Sequence, residues 1–441
     1  MTANRRFQAP GRRSAFVLCL PDVGYRFDRL KAPSLSRGCQ PKTRRPAFAV
    51  AGLVSVLCLL LTGCITRSSR APASTHVEPQ PVRVPAQIIA NFFFVESTQA
   101  DGRTYRFMVD TGSSVTYVSA SLADTLKRKE KRKGPPRTLI VRGANGKDFE
   151  LPAITLRTFQ LGEAHFDDVP AVVYDFSEFS AHVGFKIDGL IGFPLFRHTL
   201  LTLDYPGAVL EIAPNPLVVP PPVRQPRTSI IPYNREQSTP LIPVQMANES
   251  FFVLIDSGSD LGLSLNPAGL HPRFVHSPRV GMMVGSLDGN KRQLVGRLEQ
   301  NIVLGTQLVQ QPVVDLTEQL SSVGGELLRY FRLTFDQQRH LVTLLRSSDG
   351  PVEMPGRRST GLSFRRFPNY WRLLAVVPET PNSAIPVESG DLCVRINGEL
   401  VEKWTLERYT ELVQTAPRIT YTFLSGSKEV DHEVQVFELV P

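Results

Sequence analysis

Apolar and polar residues alternate with a period of two through much of the chain, in short runs such as Thr199–Leu203, Val209–Ile212, Leu333–Phe335 and Leu341–Leu344. That period puts successive side chains on opposite faces of a strand, so the runs predict β-structure rather than helix. Turn signals punctuate them. Asn145-Gly146, within Val141–Lys147, and Asp288-Gly289, within Val284–Asn290, each predict a tight hairpin, because these pairs accept the left-handed backbone such turns need. Helical pattern is sparse. Ala120–Leu126 is one short candidate, and the basic run Lys127–Lys133 after it reads as a solvated helix end. Thr405–Gln414 is another.

The alternating region repeats itself. Phe107–Ser114 reads F-M-V-D-T-G-S-S and Val253–Asp260 reads V-L-I-D-S-G-S-D. Asp110 and Asp256, each at the end of an apolar strand, lie 146 positions apart. Residues 187–212 align without a gap on 319–344: Gly192 falls on Gly324, Leu195 on Leu327, Arg197 on Arg329 and Asp204 on Asp336. Gly146 falls on Gly289, and Leu161-Gly162 on Leu304-Gly305. A repeat of this reach predicts two mainly β lobes, 86–213 and 228–346, of about 130 residues each, near the common domain size. A Pro-rich linker at 214–227, with Pro220-Pro221-Pro222, separates them.

On Asp-Thr-Gly-Ser at 110–113, Asp-Ser-Gly-Ser at 256–259, and the turns Leu190-Ile191-Gly192 and Ser322-Val323-Gly324, the stretch Pro85–Arg346 resembles the bacterial retropepsin-like aspartic peptidases. The resemblance implies a two-lobed acid-protease β-barrel fold. Retropepsins pair two chains; here both lobes lie in one, which implies a monomer built as an intrachain pseudo-dimer. Asp110 and Asp256 would be the catalytic pair, acting on polypeptide substrates without cofactor or metal. Two carboxylates about 3 Å apart share one proton, which is the general logic of aspartic proteases rather than a property peculiar to this chain. Gly112 and Gly258 would let backbone N–H groups approach the carboxylates. Thr111 and Ser257 would cross-bond the two turns. Ser113 and Ser259 would donate to the outer carboxylate oxygens, which favours the charged form and predicts an acidic optimum. The two hairpins would serve as flaps, with Gly143, Asn145 and Gly146 in the first and Gly285, Asp288 and Gly289 in the second. The rival reading is a non-catalytic peptide-binding scaffold lipoprotein of the cell envelope, since a single strand-end Asp is often a turn cap.

Within residues 359–441, Gly361-Leu362-Ser363-Phe364 and Ser389–Glu399 resemble the carboxylate-binding loop, with Ser in place of its second Gly, and the Gly-Asp … Ile-Asn-Gly segment of PDZ domains, so the stretch reads as a member of that family. Arg418–Leu424 and Glu433–Leu439 would be closing strands. The implied chemistry is addition of an extended or C-terminal peptide to a sheet edge, to recruit or position substrate. A third Pro-bearing stretch, Ser347–Arg358, precedes this module.

Charge and cysteine usage place these units. The net charge is +9, but residues 1–63 hold eleven Lys/Arg and two Asp/Glu, which leaves 39 of each sign in the remainder. A neutral remainder argues against nucleic-acid binding. Lys42–Arg45 and the apolar stretch Ala47–Leu61 form a signal-peptide pattern, the apolar stretch being shorter than the roughly 20 residues a membrane span needs. It ends at Leu61-Thr62-Gly63-Cys64, which resembles a bacterial lipobox with Cys64 as the lipidated residue. Residues 1–64 are therefore expected to be a leader, and 65–85 a tether. The expected location is the cell envelope, lipid-anchored and facing the periplasm. Ile65 after the Cys favours an outer membrane. Residues 1–40 read as no element and suggest a start assigned too far upstream. Cys19, Cys39 and Cys58 fall in the leader, so maturation leaves Cys393 without a disulfide partner.

Overall fold

In the computed structural model the alternating runs pair into two large sheets, one of 14 strands and one of 10. Residues 70–127, 137–143, 146–216, 227–235, 238–286 and 289–441 are described. The expected leader with Cys64, most of the Lys127–Lys133 run, and the hairpin residues Asn145 and Asp288 lie outside them.

One arrangement of strands occurs twice. Thr104–Asp110 pairs parallel with Gly189–Gly192, and Thr116–Val118 then lies antiparallel to Gly189–Gly192 and parallel to Ala164–Val173. In the second repeat Glu249–Ile255 pairs parallel with Ser322–Val323, and Leu263–Leu265 lies antiparallel to Ser322–Val323 and parallel to Val313–Leu316. Both Asp-bearing turns are thus held between a parallel and an antiparallel ladder.

The repeats join edge to edge. Thr199–Asp204 pairs antiparallel with Phe331–Asp336, with Thr202 opposite Thr334, Leu200 opposite Asp336 and Asp204 opposite Arg332. The Thr202 and Thr334 hydroxyls are 2.9 Å apart, and the two residues are 132 positions apart, the same offset that aligns the repeats. The junction is therefore centred on two equivalent residues. Phe107, Phe159, Phe166, Ile191, Ile255, Leu263, Leu327 and Phe335 belong to one buried cluster that runs through both repeats. Each such side chain contributes about 1.5–3 kcal/mol on full burial.

The short helix Ala120–Leu126 forms as the pattern predicts, with the Ser119 hydroxyl accepting from the Leu122 N–H. The expected tether and the third Pro-bearing stretch both contribute strands. Within 65–85, Ser74–His76 pairs with Ala164–Val173, and Val82–Ile89 pairs with Val209–Pro214 and with Phe92–Thr98. Composition suggested a tether, but Val82 and Val84 alternate inward onto the core while Arg83 and Pro85 face out. Within 347–358, Val352–Glu353 adds a parallel strand beside Gln307–Gln310, and Val352 and Met354 are buried in the same core.

The C-terminal module has a separate core around Trp371, Cys393, Tyr421 and Phe423. Its sheet runs Leu362–Arg366, Trp371–Val376, Leu392–Ile396, Arg418–Ser425, Lys428–Gln435, with the helix Leu406–Thr415 capped by Thr405. The expected last strand Glu433–Leu439 divides in two. Lys428–Gln435 stays in the sheet, whereas Phe437–Val440 leaves to pair with Arg357–Ser359. Leu439 and Val440 leave because they bury against Val295 and Val313 of the second repeat.

Candidate active site

Two strands carry Asp110 and Asp256 to the same place. Their turns are locked by four reciprocal hydrogen bonds. The Thr111 N–H donates to Ser257 Oγ and the Ser257 N–H to Thr111 Oγ1, both at 3.0 Å. The Thr111 hydroxyl donates to the Ile255 carbonyl and the Ser257 hydroxyl to the Val109 carbonyl, both at 2.7 Å. Thr111 and Ser257 are fully buried, so each bond lies in a medium where leaving it unmade is costly.

This lock sets the carboxyls face to face, within hydrogen-bond reach of each other. Each glycine lies over the opposite aspartate: a Cβ at Gly112 would collide with the Asp256 carboxylate, and one at Gly258 with that of Asp110. Only a residue without a side chain allows that approach. Asp110 Oδ1 accepts from the Ser113 N–H, and Asp256 Oδ1 from the Gly258 N–H, each at 3.0 Å. Burial and the neighbouring Asp256 charge raise Asp110 well above the usual carboxylate range. Burial also raises Asp256, opposed by its hydrogen bonds from Asp110 and Gly258. One proton shared by the pair is the state this favours.

The expected role of the serine hydroxyls needs correction. The Ser113 hydroxyl donates to the Val115 carbonyl at 2.8 Å, and Ser259 Oγ accepts from the Leu261 N–H at 3.3 Å. The tight turn aims both hydroxyls at their own backbone, and main-chain N–H groups serve the carboxylates instead. The cause offered for an acidic optimum is therefore missing.

Both expected hairpins form. In the first, Thr138–Arg142 pairs with Asp148–Leu161, and Gly143 and Gly146 close the turn by a Gly146 N–H to Gly143 carbonyl bond of 3.0 Å. Its tip reaches the second repeat: a Cβ at Gly146 would stand 3.4 Å from the Gln319 side chain. In the second, Gly285 pairs with Asn290 and Gly289 with Ser286. This hairpin lies against the C-terminal module. The Met283 N–H donates to Ser363 Oγ at 3.0 Å, and the Ser359 hydroxyl meets the Met282 sulfur at 3.2 Å. Gly361 has a left-handed φ of 75°, Leu362 and Ser363 are buried, and Phe364 packs on Trp371, Tyr421 and Phe423. Of the four loop residues read as a peptide site, Ser363 thus meets this chain's own hairpin and Phe364 packs into the module's own core.

Several residues near the dyad escaped the sequence reading. Asn91, in a left-handed turn of the first repeat, donates from Nδ2 to the Asp260 carbonyl at 2.9 Å. Tyr205 is buried with its hydroxyl unpartnered, and burial and the charges of both aspartates push it up. Arg357 closes on Asp315 and Glu326 beside Asp260. None belongs to a short motif; the only sequence signal was Asp260 itself, the last residue of the second repeat unit.

An aspartyl protease family model matches residues 97–195. The match spans the Asp110 turn, the first hairpin and Leu190-Ile191-Gly192, and it supports peptidase activity on polypeptides for a mainly β chain. No curated protein matches the chain.

Proposed function

We propose that this protein is an aspartic endopeptidase in which Asp110 and Asp256 share one proton and activate a water. The protonated member of the pair polarises the scissile carbonyl. The ionised member takes a proton from the water as it attacks, and the roles exchange when the leaving amine is protonated. No covalent intermediate forms. The observation that carries the reading is the reciprocal lock of Thr111 and Ser257, which puts two carboxyls from separate strands within hydrogen-bond reach. Asp110→Asn tests it: cleavage of a denatured protein substrate is lost while peptide binding persists. Equal cleavage by variant and parent would sink the proposal and favour a binding scaffold.

On this reading 86–213 and 228–346 act as the two lobes of an intrachain pseudo-dimer, and the protein works as a monomer. Activity that is found only in a dimer fraction, by mass measurement in solution, contradicts it. The C-terminal module is proposed as a PDZ domain that positions substrate or governs access to the cleft. The lipobox-like Cys64 supports a lipid anchor facing the periplasm, outer membrane favoured. Labelled fatty acid should be incorporated into the parent and not into Cys64→Ser.

A further inference from the structure

The segment between the second repeat and the C-terminal module is pinned along its length. Val352 and Glu353 form a parallel ladder with Val309 and Gln310. Met354 fills the space over Gly262, where a Cβ would collide with its terminal methyl, and its carbonyl accepts from both Arg297 Nη atoms at 3.2 Å. Arg357 follows. Its Nη1 lies 2.9 Å from each Asp315 oxygen, and its Nη2 3.1 Å from Glu326 Oε2.

Those two carboxylates sit on the two supports of the Asp256 turn. Asp315 faces Ser264 in the strand pair that follows the turn. Glu326 is in the first turn of the helix Gly325–Leu328, whose Gly325 N–H donates to the Ser259 carbonyl at 2.7 Å and whose Glu326 N–H donates to the Leu261 carbonyl at 3.3 Å. One guanidinium therefore ties together the strand and the helix between which residues 256–262 are held.

The first repeat does this without charge. Val172, buried opposite Tyr117, takes the place of Asp315, and buried Pro194 takes that of Glu326. No ion pair is needed behind Asp110. Behind Asp256 the repeat carries two carboxylates and, among the described residues, no cation of its own paired with them, and Asp260 adds a third acid nearby. Burial lifts that acid to about 6, and the Arg357 charge opposes the rise. A buried carboxylate without its partner is strongly unfavourable, so the second half of the site is incomplete until Arg357 arrives.

We propose that Arg357, which lies outside both repeats, is a positioning residue for Asp256, so that docking of the C-terminal segment completes the dyad. The proposal rests on the peptidase reading for its kinetic consequence, not for its structural one.

The test compares the full-length parent with Arg357→Met, Arg357→Lys and the neutralised triple variant Asp315→Asn/Glu326→Gln/Arg357→Met. Amide exchange across residues 256–262 and kcat and KM on a peptide substrate are measured, with melting curves to show which variants fold. Exchange at 256–262 should rise about tenfold in Arg357→Met and in the triple variant. Misplacement of Asp256 should lower kcat by up to about 10²-fold with KM nearly unchanged. Arg357→Lys keeps the charge but not the two-armed fork, so it should fall between. In the triple variant Asp315 and Glu326 are neutralised together with Arg357, so neither is left as an unpaired charge, and it decides the matter should Arg357→Met fail to fold. Parental exchange and parental kcat in a folded triple variant would overturn the proposal. A parent that cleaves no better than Asp110→Asn defeats the peptidase reading alone; the exchange at 256–262 then still upholds or overturns the positioning role.

Discussion

Behind Asp110 the supports are Val172 and Pro194; behind Asp256 they are Asp315 and Glu326, bridged by Arg357. The two turns share their cross-bonds, from the reciprocal Thr111 and Ser257 pairs to the Phe193 N–H to Ser113 carbonyl link and its counterpart from the Gly325 N–H to the Ser259 carbonyl, and differ in the N–H that serves each carboxylate, that of Ser113 for Asp110 and that of Gly258 for Asp256. The hairpins differ in the same sense. The first reaches across to Gln319 and the second is held by Ser363, Leu439 and Val440 of the C-terminal module. Chemistry needs two like carboxylates, so the lock that holds them stays symmetric. The layer behind is free to diverge, and in this protein it has become the attachment point for another module.

The comparison predicts equal losses where the repeats are equal. Asp110→Asn and Asp256→Asn should each lower kcat on the order of 10²–10⁴-fold, as expected when a general acid or base is removed. Cleavage rates that differ widely between the two would show that the halves are not chemically equivalent. Gly112→Ala and Gly258→Ala should come next, about 10²-fold each, because each new methyl displaces the opposite carboxylate. Either variant with parental kcat would mean that the carboxylates lie further apart in solution.

Stability effects are smaller. Thr111→Ala or Ser257→Ala removes hydroxyl bonds from a buried lock and should cost about 1–3 kcal/mol for each group left unsatisfied, read from urea unfolding. The two costs should agree. A large difference would locate the repeats' asymmetry in the lock after all.

The pH dependence sharpens the contrast. Asp260 in the fold lies at about 6, above its unfolded value of roughly 3.9, mainly through burial. A raised acid favours the folded state at low pH and loses that contribution as pH rises from about 4 through about 6. Asp260→Asn should therefore melt higher than the parent above pH 6, with the gap closing towards pH 4. Ser114, the counterpart in the first repeat, should give no such pH-dependent gap in Ser114→Ala. A last, finer expectation concerns activity: with both dyad carboxyls raised and the serine hydroxyls turned away, the upper limb of the pH–rate profile should lie above the ordinary carboxylate range. A limb at or below pH 4 would show that the burial is relieved in solution.

Much of this was legible in residue order. Alternation located the strands, the repeated Asp-x-Gly-Ser located both turns, and the constant offset aligned 187–212 with 319–344; that these two stretches pair with each other, centred on Thr202 and Thr334, came from the structure. Composition read alone failed at 65–85, where proline and serine content suggested a tether while Val82 and Val84 were core residues; nor did it show that Val352 and Met354, in the Pro-bearing stretch 347–358, belong to the same core.

What sequence alone determined is what depends on neighbours along the chain: strand periodicity, the glycine-bearing turns, and two equivalent acids. What only the tertiary structure decided depends on groups far apart in the chain meeting in a low-dielectric interior. The direction of the Ser113 and Ser259 hydroxyls, the upward shift of Asp110, and the reach of Arg357 to Asp315 and Glu326 are all of that kind. No local pattern encodes them, because burial and long-range pairing fix the energy of a charge or a hydroxyl more than the identity of its neighbours does.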